Sequence, residues 1–229
     1  MKSLLKKISS TKFGFFLKSL VGRFEYTLMR YYHEPEKVDL LKDIADEDKP
    51  FLLNPSELYT IYAFAGLQNR VDGDYAEVGV FKGATAKAIC EQKNPDKTLY
   101  LFDTFSGLPE VDEIDKEMFS NEQFLASEDL VKQKLMQYEN VEIHKGYFPS
   151  DTAEIVNNKR FAFVHLDVDI YRSTIDALRF FYPKMNRGGV IISHDYHAAG
   201  VYKAFQEFCA ETNERVLQFS TSQCMLQKL

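Results

Sequence analysis

The chain has 229 residues, is 45% hydrophobic and 27% charged, and carries a formal net charge of −6. This composition belongs to a soluble globular protein with one sizeable core and room for an accessory segment. The acidic balance argues against a nucleic-acid partner, which needs clustered Lys and Arg. Three dispersed cysteines, Cys90, Cys209 and Cys224, exclude a disulfide framework or a cysteine-rich zinc site and fit a reducing cytoplasm.

In the first 30 residues, Leu4, Leu5, Ile8, Phe15, Phe16, Leu20 and Val21 are interrupted by Lys2, Lys6, Lys7, Lys12, Lys18 and Arg23. No apolar run is long enough for a signal-peptide core or a spanning helix. The pattern predicts a helix that covers an active site or a neighbouring subunit. Its basic amphipathic character also permits peripheral contact with an anionic membrane surface, and the aromatics at 13–16 suit homodimerisation. Residues 1–54 are therefore expected to form a helical extension or cap, with 55–229 as the main domain. Glu34 to Pro50 is charged and reads as a mobile connection. Asn54-Pro55-Ser56-Glu57 opens a helix, with Ser56 as N-cap and Leu58, Ile61, Tyr62 and Ala65 as its apolar stripe.

From Asp74 strands and helices alternate. Strands are predicted at 74–79, 98–102, 141–145, 161–166 and 189–193, with helices at 84–93, 149–157 and 174–183. A further helix near 200–211 precedes closing strands near 214–218 and 223–227. Runs such as Phe161-Ala162-Phe163-Val164-His165-Leu166 suit parallel strands covered on both faces. The fold class that follows is α/β: a Rossmann-like, doubly wound, mostly parallel sheet with an antiparallel edge. Residues 104–140 interrupt the rhythm with an acidic run and a helical segment near 121–137, and read as a lid over cofactor or acceptor.

Asp74-Tyr75-Ala76-Glu77-Val78-Gly79-Val80-Phe81-Lys82-Gly83 reads as a buried strand ending in a glycine-bounded turn, and Ala84-Thr85 starts a helix. Such a turn lets backbone approach a nucleotide-like ligand. Glu77 is expensive to bury without a partner, and no neighbour in sequence neutralises it. Asp103 ends the next strand about 20 residues on, where an acid receives ribose hydroxyls. The middle glycine of a dinucleotide turn is missing and Glu77 would repel phosphate. Both facts favour a cationic, ribose-bearing ligand such as S-adenosylmethionine over NAD.

Farther along, His165-Leu166-Asp167-Val168-Asp169 and His194-Asp195 end two strands whose carboxyl ends line the same crevice. Period-two alternation places Asp167 and Asp169 on one side if the strand extends that far. Clustered carboxylates with one imidazole suit magnesium or manganese. Such an ion lowers the pKa of an acceptor hydroxyl while a neighbouring base collects its proton. Asp167, Asp169, His194 and Asp195 are the candidate ligands and bases, with His194 equally suited to either role.

Five stretches together resemble the macrocin O-methyltransferase (TylF-like) family of class I methyltransferases. They are 77–83, 101–109, Lys145-Gly146-Tyr147-Phe148-Pro149, 165–171, and Tyr182-Pro183 to Asp195-Tyr196. The resemblance spans about 55–200. It implies S-adenosylmethionine as methyl donor, a magnesium-assisted site, and a sugar or secondary-metabolite hydroxyl as acceptor. With it, the cofactor-facing set becomes Glu77, Gly79, Phe81, Gly83, Thr85, Asp103, Phe105, Ser106, Gly146 and Tyr147, the metal set Asp167, His194 and Asp195, and the catalytic pair Asp169 and His194. The family's acid pair after the fifth strand is His194-Asp195 here, which shifts preference from magnesium toward manganese or leaves His194 as the base of a metal-free site. An NAD(P)-dependent oxidoreductase, or a non-catalytic relative binding ligand or membrane, are the rival readings.

Overall fold

The structure, a computed structural model, describes residues 12–48 and 53–229. The chain divides into two compact units, Met1–Thr60 and Ile61–Leu229. The basic stretch Lys2 to Lys7 and the side chains of the aromatics at 13–16 lie outside what is described.

In the first unit, helix α1 (Lys12–Tyr32) packs on α2 (Pro35–Glu47), and α3 (Pro55–Leu67) begins. The helix α2 corrects the expected mobile connection. Proline at its first turn has no N–H to leave unsatisfied, and Val38, Leu41, Ile44 and Ala45 form a buried stripe at helical spacing. The charges between them hid that period. Helix α3 starts at Pro55, so Asn54 and not Ser56 holds the cap position. Glu57 reaches back to the Asn54 N–H at 2.8 Å, while the Ser56 N–H donates to Glu25 at 3.0 Å.

The second unit is a seven-stranded sheet in the order β3-β2-β1-β4-β5-β7-β6. Its strands are β1 (Asp74–Val78), β2 (Leu99–Asp103), β3 (Val141–Lys145), β4 (Phe161–Leu166), β5 (Met185–Ser193), β6 (Leu217–Gln218) and β7 (Cys224–Gln227). The first five are parallel; β7 runs antiparallel to β5, and β6 to β7. The expected doubly wound sheet with an antiparallel edge is thus present. Its order reverses between β1 and β4, the switch point where open α/β sheets bind ligands.

Helices α4 (Ala84–Cys90), α5 (Glu128–Leu135), α6 (Tyr171–Phe181) and α7 (Ala199–Thr212) complete the unit. Ala76, Val78, Phe102, Val164 and Leu166 share one core with Leu178, Phe181, Val201 and Phe205 from α6 and α7. Alternation sends Tyr75, Glu77, Phe163 and His165 to the opposite face.

Several expected elements differ: β5 begins at Met185, β6 is only Leu217–Gln218, and the helix expected at 84–93 ends at Cys90. Residues 149–157 form turns and one short 3-10 segment, Ala153–Val156, because Asp151 turns back to accept the Tyr147 N–H at 2.9 Å. The helix near 121–137 shortens to α5, capped by Ser127. Helix α6 runs Tyr171–Phe181, starting three residues before the expected 174. Among the described residues, no helix is long and apolar enough to cross a membrane.

Candidate active site

The glycine turn follows β1. Gly79, Phe81 and Gly83 all have positive φ, at 84°, 50° and 84°. At Gly79 a Cβ would lie 1.9 Å from the Asp167 carbonyl oxygen, so only glycine fits there. The turn that faces the crevice therefore packs directly on the chain leaving β4. Asp103 closes it from the other side. Its Oδ2 accepts the Val80 and Phe81 N–H groups at 2.7 and 2.8 Å, and its Oδ1 accepts Phe105 N–H at 2.7 Å. Burial raises its pKa against the pull of these donors. Asp103, expected to hold ribose, first of all fixes the backbone of two loops.

Glu77 corrects the reasoning that singled it out. It is fully buried, and its Oε1 lies 2.7 Å from His165 Nδ1 on the neighbouring strand. The parallel register sets Glu77 directly beside His165, and Val78 beside Leu166. Burial raises the Glu77 pKa, and the hydrogen bonds of His165 and then Thr85 lower it. Among the described residues, Glu77 Oε2 and His165 Nε2 have no hydrogen-bond partner. Glu77 and Thr85 thus lie enclosed beneath the turn. The sequence carried a signal for this pair: one polar residue in the apolar interior of each of two strands, at matching heights.

Past β4, the strand has already ended at Leu166, so period-two alternation does not join Asp167 to Asp169. A tight turn does. Ile170 N–H donates to Val168 O at 2.6 Å, and Asp169 between them has a φ of 63°. This is the i→i+2 pattern of a γ-turn with positive φ, a strained conformation that surrounding contacts must hold. His194 and Asp195 arrive from the end of β5. His194 Nδ1 lies 3.2 Å from both Asp167 Oδ1 and Asp195 Oδ2. One ligand atom from each of Asp167, His194 and Asp195 falls within 4.8 Å of the others. Asp169 and Asp195 hydrogen-bond to each other. Burial, then the charges of Asp167 and Asp195, push Asp169 well above the usual carboxylate range. Burial acts on Asp195 too, yet His194 draws it down to about 2.

The insertion is ordered and spans the site's two sides. Phe81 of the glycine turn meets Phe124 edge to face, ring centroids 5.9 Å apart. Val111 and Phe119 enter the core beside α6 and α7. Asp115, from the acidic run, is buried and accepts the Tyr171 N–H with Oδ2 at 2.9 Å. Its Oδ1 abuts Gly200 in the first turn of α7. It therefore sits at the positive ends of α6 and α7 together, one residue beyond the strained turn. Sequence reading missed it, and no periodicity marks it. Of the remaining expected residues, Phe105 is buried at the Asp103 brace, and Ser106 is exposed. The Gly146 N–H donates to Asp103 O at 3.0 Å, and the Tyr147 hydroxyl lies 3.5 Å from Ser173 Oγ.

A Rossmann-like sheet with a glycine turn after β1 and a carboxylate cluster beyond β4 and β5 is the fold of the class I methyltransferases. Residues 63–217 match the macrocin-O-methyltransferase (TylF) family, and the chain belongs to it. It is 32% identical over 143 residues to demethyldecarbamoylnovobiocin O-methyltransferase of Streptomyces niveus, covering 56% of this chain and 54% of that one. Mycinamicin III 3''-O-methyltransferase of Micromonospora griseorubida is 28% identical over 161 residues, 63% of each chain. The chain thus spans less than two thirds of the length of either relative. The O-methyltransferase NovP superposes with a TM-score of 0.65 at 25% identity, over 76% of this chain and 80% of NovP. The calicheamicin methyltransferase CalS11 shares the fold, with a TM-score of 0.67 at 15% identity over 85% of this chain and 92% of that one.

Proposed function

We propose that this protein transfers a methyl group from S-adenosylmethionine to a hydroxyl of a small glycoside or polyol. The observation that carries the reading is the contact between the glycine turn and the carboxylate cluster: Gly79 rests on the Asp167 carbonyl, and Asp167, His194 and Asp195 converge beside it. Donor and acceptor sites are therefore adjacent, as in-line methyl transfer requires. Family membership, and relatives named for methylating novobiocin and mycinamicin precursors, point the same way.

The turn Gly79–Gly83 and the loop at Phe105 and Ser106 cradle the nucleoside, with Gly146 and Tyr147 at the rim. Asp103 fixes this cradle and has lone-pair capacity left on Oδ1 for a ribose hydroxyl. Glu77 and Thr85 act from below as supports, since neither reaches the crevice surface.

Two carboxylates and one imidazole within one ion's reach fit a divalent cation, and Asp167, His194 and Asp195 would hold it. The imidazole favours manganese over magnesium. A bound ion supplies Lewis acidity that acidifies the acceptor hydroxyl. Asp169 takes the proton from that hydroxyl as the acceptor oxygen attacks the methyl carbon. The carbon–sulfur bond breaks, sulfur keeps the electron pair, and neutral S-adenosylhomocysteine leaves. Charge disappears from the sulfonium in this step, so a dry, shielded crevice favours it. Three free cysteines fit a cytoplasmic setting, and the acidic balance fits a small-molecule partner over nucleic acid.

Calorimetry with S-adenosylhomocysteine, with and without Mn2+ or Mg2+, followed by an acceptor screen, tests the proposal. Asp169→Asn should abolish turnover while leaving S-adenosylhomocysteine affinity intact; Asp167→Asn should weaken metal binding. Undiminished turnover in both variants, or indifference to sulfonium nucleosides, defeats the reading.

A further inference from the structure

Helix α1 carries an apolar stripe that the described residues leave uncovered. Leu20, Phe24, Leu28 and Tyr31 recur at i, i+4, i+8 and i+11, with Val21 and Tyr32 alongside. Their exposures are 54%, 64%, 43%, 82%, 62% and 73% in that order. Apolar side chains appear singly on any surface, but a contiguous stripe over three turns marks a contact surface. The opposite face is already used: Met29 is buried there, and Tyr26 lies near Asp46 of α2.

Charge selects the occupant. The helix has four basic residues, Lys12, Lys18, Arg23 and Arg30, against the single acid Glu25, a net of +3 in a chain of −6. Three more lysines, Lys2, Lys6 and Lys7, precede it in sequence. Glu25 is turned to the Ser56 N–H, and Arg30 pairs with Asp39 of α2. Arg23 and Arg30, seven residues apart, border one edge of the stripe. Asp39 already answers Arg30, which leaves Arg23 as the open cation of this edge among the described residues. Anionic headgroups answer it directly, and an aromatic-rich apolar face flanked by cations is the pattern of a helix lying in the interfacial plane.

We propose that α1 docks this protein on an anionic membrane surface, with Leu20, Phe24, Leu28 and Tyr31 in the headgroup layer and Arg23 beside lipid phosphates. The helix lies on the bilayer and does not span it.

Vesicle co-sedimentation of the full chain tests this with phosphatidylcholine alone and with phosphatidylcholine mixed with phosphatidylglycerol. Binding should appear on the anionic vesicles, weaken at least about tenfold on neutral ones, and fall with added salt. Phe24→Ser should lower anionic binding on the order of tenfold through lost apolar burial, and Arg23→Glu roughly tenfold through lost charge. Both variants should keep the wild-type circular dichroism spectrum and melting temperature. Equal binding to neutral vesicles, or none to either, overturns the proposal. So does a dimer in analytical ultracentrifugation that Phe24→Ser dissociates while vesicles are ignored, since a second copy then covers the stripe.

Discussion

Gly200→Ala is expected to be costly for a reason that only the Asp115 contact explains. A Cβ on residue 200 would lie 1.8 Å from Asp115 Oδ1, 2.7 Å from its Cγ and 2.9 Å from the Tyr171 nitrogen. Asp115 is 3% exposed, so the carboxylate cannot swing aside without leaving its pocket. Leaving breaks the 2.9 Å bond to the Tyr171 N–H, a lost helix cap of about 1 kcal/mol. Overpacking adds ~1–3 kcal/mol. The total is about 2–4 kcal/mol, or a fall in melting temperature of roughly 5–15 °C for a domain of this size. In an Asp115→Ala background the methyl meets only the Tyr171 nitrogen, and Gly200→Ala should then cost about 1 kcal/mol. Urea denaturation of the two single variants and the double variant measures the difference. A coupling of about 1–3 kcal/mol is expected; additivity within ~0.5 kcal/mol refutes the reasoning.

Glu77→Ala strands the buried His165 ring and should destabilise by about 3–5 kcal/mol, whereas Glu77→Gln keeps an acceptor for Nδ1 and should cost less than about 2 kcal/mol. Equal denaturation midpoints for the two would argue against the pair. The metal-free protein should respond to pH in two windows. Asp169, raised in the fold, contributes stability that is complete below its unfolded pKa and lost as pH rises through its folded one. Asp169→Asn should flatten that alkaline-side decline in melting temperature. Asp195, lowered to about 2, contributes stability above the ordinary carboxylate pKa that is lost as pH falls toward 2. Asp195→Asn should blunt this acid-side loss, and an unchanged melting profile for it would contradict the His194 pairing. Asp103→Ala releases three backbone N–H groups and should weaken S-adenosylhomocysteine roughly 10- to 100-fold by calorimetry. An unaltered dissociation constant would show that the turn holds its shape without the brace.

The sheet was legible because its strands are apolar runs, or in β3 an alternation of apolar and polar residues, with clean borders. Phe161–Leu166 and Val141–Lys145 fall where the residues predict them. Asp167, His194 and Asp195 were legible for the same reason: each lies just past the end of a recognisable strand, and parallel topology gathers such ends. What escaped depends on distant partners. The stripe Val38, Leu41, Ile44 was masked by charges between its members. Residues 149–157 have helix-compatible composition, but Asp151 spends its side chain on the Tyr147 N–H. Asp169 joins Asp167 through a strained turn rather than by strand alternation. Asp115 looks like any solvated acid until α6 and α7 present their N-termini to it. The missing partner of Glu77 was 88 residues away in sequence, one strand over.

The bracing of Asp103 by three main-chain donors has a thermodynamic corollary. Under the proposed function, the nucleoside would meet walls already braced in the fold, so little ordering entropy is left to lose at association. Recognition should then resemble a key entering a finished lock, with heat-capacity change tracking the guest's apolar area alone.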